Sequence, residues 1–183
     1  MISENILYSF RRCPFAIRAR WAILKNKIKV NLREVDLKQK PPELIELSPK
    51  GTVPVLNTST GSVIDQSLDI IKWSILNSSI NNQKSNDLKI NCSKANDLIE
   101  LNDREFKYHL DRFKYASRYK HNNTNYHQEK ALLIIRSLNC RLSKSKNKGF
   151  KGWLMEDCES IADWAIWPFI RQYVIADPKI FDR

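Results

Sequence analysis

The sequence has no C-x-x-C pair, no Cys/His cluster at zinc-ligand spacing, no internal repeat and no apolar run approaching the length of a bilayer span. Its four cysteines, Cys13, Cys92, Cys140 and Cys158, stand far apart. A disulfide framework and a cysteine-rich metal site are therefore not expected, and each thiol is judged by its surroundings. For Cys92, Cys140 and Cys158 the expectation is that of a small buried hydrophobe. Met1 to Phe10 also lacks the basic start and long apolar stretch of a signal peptide. The expected setting is the cytoplasm, with no membrane partner.

Clustered positive charge is missing too. The net charge is +11, but residues 1 to 80 hold 12 basic and 7 acidic groups while the remainder holds 19 and 13. Nucleic-acid binding draws on a patch or tail of Lys and Arg. Here the excess is diffuse, so nucleic acid is not expected as a partner.

Two patterns are present instead. Asn5 to Phe10 has the character of a short strand and runs into Arg11-Arg12-Cys13-Pro14. Proline suits a first helical position because its missing N–H has no partner there anyway. Phe15, Ala19, Ala22 and Ile23 then recur at helical spacing to about Lys27, with Cys13 at the N-cap. Val30 to Val35 alternates like a strand, and Pro41-Pro42 opens a short helix ending before Ser48. Val53 to Leu56 and Ser62 to Ile64 read as a hairpin. Pro54 cannot donate to a ladder, so it belongs at an edge, and a cis peptide before it would turn Val53 toward a ligand. Ser67 or Asp65 can cap the following helix, which carries Leu68, Ile71, Trp73 and Ile75.

From residue 78 to 91 the chain is rich in Asn and Ser, as an exposed linker would be. Beyond it the periodicity is helical throughout, over Cys92 to Tyr119, Tyr126 to Lys144 and Ser160 to Ala176. Ser160-Ile161-Ala162-Asp163 has the form of a capping box. Leu98, Leu101, Tyr108, Tyr115 and Tyr119 are expected on one packed face, and Trp153, Trp164 and Trp167 in the core. The fold class is thus α/β followed by all-α: residues 1–77 as one domain, 78–91 as linker and 92–183 as a helical domain.

The order of strand, C-P-F-A helix (Cys13 to Ala16), G-T-V-P-V-L (Gly51 to Leu56), D-Q-S helix (Asp65 to Ser67), linker and helical domain resembles the glutathione transferases. C-P-F-A and L-K-Q-K-P (Leu37 to Pro41) are most similar to the omega class and related bacterial proteins. The resemblance implies a thioredoxin-like glutathione-binding domain before a helical one. It also implies that Cys13 faces the glutathione sulfur, that Val53 and Pro54 meet the cysteinyl unit, and that Gln66 and Ser67 hold the γ-glutamyl end. Lys40 would lie near the glycyl carboxylate. Gln66 stands where the omega class commonly has Glu, which keeps hydrogen bonding and loses a charge. The chain stops at Phe181-Asp182-Arg183, earlier than a full family member, so helices that line the acceptor pocket are expected to be missing. Phe15, Tyr108 and Tyr115 are the candidates for what lines that pocket.

The chemistry of Cys13 follows from its place. Free N–H groups and the dipole at a helix start suit an anionic sulfur, and Arg11 and Arg12 are adjacent. With Ala16 where a dithiol glutaredoxin has its second cysteine, the route is monothiol. The expected function is a glutathione-dependent thiol transferase or reductase, with glutathione as co-substrate, no metal, a small oxidised or electrophilic acceptor, and a homodimer as one assembly. The alternative is a non-catalytic transferase-fold binding protein associated with transcription or nucleoprotein.

Overall fold

The computed structural model describes residues 4–78, 92–121 and 123–181. It divides into two compact units, Met1–Ser85 and Asn86–Arg183. The expected linker lies outside the described residues apart from Ser78.

In the N-terminal unit, β1 (Ile6–Ser9), α1 (Pro14–Lys25), β2 (Asn31–Glu34), α2 (Pro42–Leu47), β3 (Val55–Asn57), β4 (Val63–Ile64) and α3 (Ser67–Leu76) follow in order. The sheet order is β2-β1-β3-β4. β1 runs parallel to β2 with Tyr8 opposite Arg33, and antiparallel to β3 with Tyr8 opposite Val55. β3 and β4 form the antiparallel hairpin. Successive strand side chains point to opposite faces, so β1 feeds two cores. Tyr8 joins Ala16, Val35, Leu44, Val53 and Val55, with Cys13 packed against them. Leu7 joins Ala19, Ile23, Leu56 and Ile70. All four residues of β2 are exposed, as suits an edge strand.

Helix α3 starts differently from expectation. Its N-cap is Gln66, and neither Asp65 nor Ser67 caps it by a side-chain hydrogen bond. Asp65 is instead held by Lys50 and Ser48, and Ser67 is already the first residue inside the helix, its hydroxyl accepting from Arg18.

The C-terminal unit holds α4 (Ser93–Leu101), a π-helical turn over Asn102–Phe106, α5 (Lys107–Lys114), a 3-10 turn at Ala116–Arg118, α6 (Thr124–Asn147), α7 (Ile161–Ala176) and α8 (Pro178–Phe181). The Ser160/Asp163 capping box is formed. The expected face of Leu98, Leu101, Tyr108, Tyr115 and Tyr119 holds only at Leu98. Tyr108 is exposed, and Asn102, Phe106, His109 and Leu110 are buried instead. The π-helical turn accounts for this, since its wider hydrogen-bonded ring takes an extra residue and rotates the side chains beyond it by about 100°. Trp164 is buried in the core, whereas Trp153 and Trp167 are only half-buried. The three cysteines expected as buried hydrophobes are not so: Cys140 is exposed, and Cys92 and Cys158 are half-buried. Among the described residues no helix is long and apolar enough to cross a membrane.

Candidate glutathione site of the N-terminal unit

The loop after β1 closes with Cys13 N–H donating to the Phe10 carbonyl at 3.0 Å, and Pro14 opens α1 as expected. Cys13 occupies the N-cap without capping through its side chain. Its sulfur is instead directed at the carbonyl of Val53, 3.8 Å away. Val53 and the buried Pro54 are joined by a cis peptide. Cys13, Val53 and Pro54 are thereby brought together, although 40 residues separate Cys13 from Val53.

Positive charge reaches this corner from α1 itself. Arg11 and Arg12 are exposed, and Arg12 lies over the Phe10 ring. Arg20 is half-buried, donating to Ser9 Oγ and, at 3.1 Å, to the Arg11 carbonyl. Burial holds the Arg20 pKa below its ordinary value, while Glu34 and then Cys13 act in the opposite direction. The sequence reading named Arg11 and Arg12 as nearby charge and did not name Arg20. Arg20 is visible in the sequence only as one more polar residue of α1.

The second corner is the start of α3. Ser67 is 6% exposed, and its Oγ accepts from Arg18 Nε at 2.9 Å. Gln66 is exposed and its amide reaches Asp65 Oδ1 at 3.4 Å. Asp65 also binds Lys50 at 2.9 Å and the Ser48 hydroxyl at 3.2 Å. The Lys50 contact is the main reason its carboxyl lies below the ordinary carboxylate range. Arg18 and Lys50 were not singled out from the sequence, and Asp65 was named only as a possible cap of the following helix. Arg18 could have been: it sits four residues before Ala22, on the stripe that α1 buries.

Lys40 completes the set. It is exposed, and its side chain passes over Gly51, where an added Cβ would meet Lys40 Nζ at 3.3 Å and Ile45 Cδ1 at 2.9 Å. Its ammonium therefore lies just before Val53 in the chain. Helix α1 joins the two corners, since Cys13 begins it and Arg18 reaches Ser67 from it. Phe15, half-buried, stacks under the Arg18 guanidinium at 4.9 Å. Tyr108 and Tyr115 belong to the other unit. Among the described residues no group of three or more His, Cys, Asp or Glu could hold a metal ion.

Residues 7–78 match the family of the glutathione S-transferase N-terminal domain. A probable glutathione transferase of Aplysia californica is 42% identical over 55 residues, covering 30% of this chain and 60% of that protein. Glutathione S-transferase omega-1 of Mus musculus is 37% identical over 62 residues, covering 34% of this chain. The matched stretch spans 26% of the mouse protein. A glutathione transferase family member of Pseudomonas fluorescens, solved with two glutathione bound, shares the fold with a TM-score of 0.75 at 17% identity, over 99% of this chain and 82% of that one. The sequence match to the glutathione S-transferase N-terminal domain thus lies in the N-terminal unit, and the fold of the solved glutathione transferase is shared along the chain.

Proposed function

We propose that the protein is a glutathione-dependent thiol transferase in which Cys13 is the nucleophile. The observation that carries this reading is the Cys13 sulfur at the start of α1, directed at the Val53 carbonyl beside Pro54. The residues proposed to hold the tripeptide are Val53 and Pro54 at its cysteinyl unit, Gln66 and Ser67 at its γ-glutamyl end, and Lys40 at its glycyl carboxylate. Phe15 is proposed for the acceptor.

The chemistry runs in two balanced steps. The Cys13 thiolate attacks the glutathionyl sulfur of a mixed disulfide RS–SG, forming Cys13–S–SG and releasing RS⁻, which takes up a proton. A second glutathione, as thiolate, attacks the glutathionyl sulfur of Cys13–S–SG and leaves as oxidised glutathione, restoring the Cys13 thiolate. In net, RS–SG, one glutathione thiolate and one proton give RSH and oxidised glutathione, so one glutathione is consumed for each mixed disulfide reduced. Cys13 returns unchanged. The acceptor is a small oxidised or electrophilic molecule, and a homodimer is the proposed assembly. The non-catalytic alternative gains no support from any feature of the site.

Trapping the intermediate tests the reading. Exposure of the wild type to oxidised glutathione should give one adduct by intact-mass spectrometry, mapped to Cys13, and removable by reduced glutathione. Cys140 is exposed and offers an internal comparison. Modification at Cys140 with Cys13 left free would contradict the assignment.

A further inference from the structure

Arg18 is 2% exposed and is among the largest side chains buried in the chain. An arginine is seldom buried so completely, because removing its charge from water is expensive and must be offset by hydrogen bonds and stacking. Its contacts include the Phe15 ring and the Ser67 hydroxyl, which also lies in the interior at 6% exposure.

The Arg18–Ser67 bond has a fixed sense. A guanidinium has five donors and no acceptor, so Ser67 Oγ must be the acceptor. That leaves the single Ser67 O–H to donate elsewhere. A hydroxyl that already accepts a charge-assisted hydrogen bond is polarised, and its own proton becomes the better donor. Ser67 is also the first residue of α3, a ten-residue helix whose first-turn N–H groups have no helical acceptor. A donor hydroxyl beside donor amides matches a carboxylate and mismatches an amine.

We infer that Arg18 is a positioning residue which, from the interior, fixes the Ser67 hydroxyl as a donor to the γ-glutamyl α-carboxylate of glutathione. The inference rests on the glutathione reading above and adds to it which atom of the ligand the buried arginine serves. Arg18 does not touch the ligand. It acts through Ser67.

The test is calorimetric titration of the full chain with two ligands: glutathione, and 4-aminobutanoyl-cysteinylglycine, which is glutathione without that one carboxylate. Arg18→Met should weaken glutathione binding about tenfold and leave the decarboxylated ligand within about twofold of wild type. Combined with Ser67→Ala, it should add less than about twofold to the loss from Ser67→Ala alone, because both act through one hydroxyl. Arg18→Lys keeps a buried cationic donor and should recover part of the glutathione affinity. It also serves as the test variant should Arg18→Met fail to fold, with a smaller loss still confined to the carboxylated ligand.

Equal losses for both ligands, additive losses in the double variant, or unchanged glutathione affinity in either Arg18 variant would overturn the inference. Absence of glutathione binding by the wild type is a separate result, read before any variant. It would remove the glutathione reading itself.

Discussion

Cys13 and Val53 meet through the thiol of one and the backbone carbonyl of the other, at 3.8 Å, although the side chain of Cys13 occupies a helix N-cap where it could have bonded to its own helix. The sulfur thus points away from its helix and toward the segment that resemblance assigns to the cysteinyl unit of glutathione. Binding and reactivity then fall on different residues and are separable by mutation.

Ser67→Ala should weaken glutathione binding about tenfold or more, since it removes the proposed hydrogen bond to a charged carboxylate, worth roughly 1.5 to 3 kcal/mol. Lys40→Ala should have the smaller effect, under about fivefold, because Lys40 is exposed and solvated ion pairs contribute about 1 kcal/mol or less. Isothermal titration of both variants measures the order. The reverse order would move the main anchor to the glycyl end.

Gly51→Ala should destabilise the N-terminal unit by at least about 1 kcal/mol. Gly51 has φ +58, a left-handed conformation that a Cβ disfavours. The new methyl would also press on Ile45 Cδ1 and on the Lys40 side chain. Urea unfolding gives the stability, and glutathione affinity should fall with it as Lys40 is displaced. A variant as stable as wild type would show that the loop relaxes freely.

A pH dependence is expected from the C-terminal unit. His109 and His127, each 8% exposed, share a hydrogen bond between their Nδ1 atoms at 2.8 Å. Only one proton fits between two ring nitrogens at that distance. Tyr108 and Tyr126 pack on the pair, and Glu105, Arg112 and Lys130 are the charged groups that act on it. Burial holds both imidazoles below the ordinary histidine pKa; His127 then lowers His109 further, and Arg112 lowers both. The unfolded chain therefore binds protons that the folded one refuses. Their contribution to stability is complete above about pH 6.5 and is lost as pH falls through the folded values. Thermal unfolding should show a lower midpoint at pH 5 than at pH 7.5, with a smaller difference after replacing both histidines by Leu. A midpoint indifferent to pH in the wild type would contradict this.

The sequence carried the N-terminal unit further than the C-terminal one. Cys13-Pro14, Pro41-Pro42 and Gly51 to Leu56 are local signals, in which Pro and Gly fix backbone geometry whatever surrounds them. Arg18 was not legible in the same way. Helical periodicity sorts residues by hydrophobicity, so an arginine on a buried stripe is overlooked unless its distant partner, Ser67, is known. The helix from Cys92 onward failed for another reason: a π-helical turn leaves no composition signal, yet it exchanges the buried face from Tyr108 to His109 and Leu110. The His109–His127 pair was invisible for the same reason.

The central claim is that Cys13 performs the chemistry, and one rate comparison tests it most directly. Glutathione-dependent reduction of a small mixed disulfide is followed for the wild type and for Cys13→Ser, at equal folded content by circular dichroism. Serine is nearly isosteric but not ionised at neutral pH, so the account predicts that the variant binds glutathione while its rate falls to that of the uncatalysed reaction. Retention of most of the wild-type rate by Cys13→Ser would contradict it.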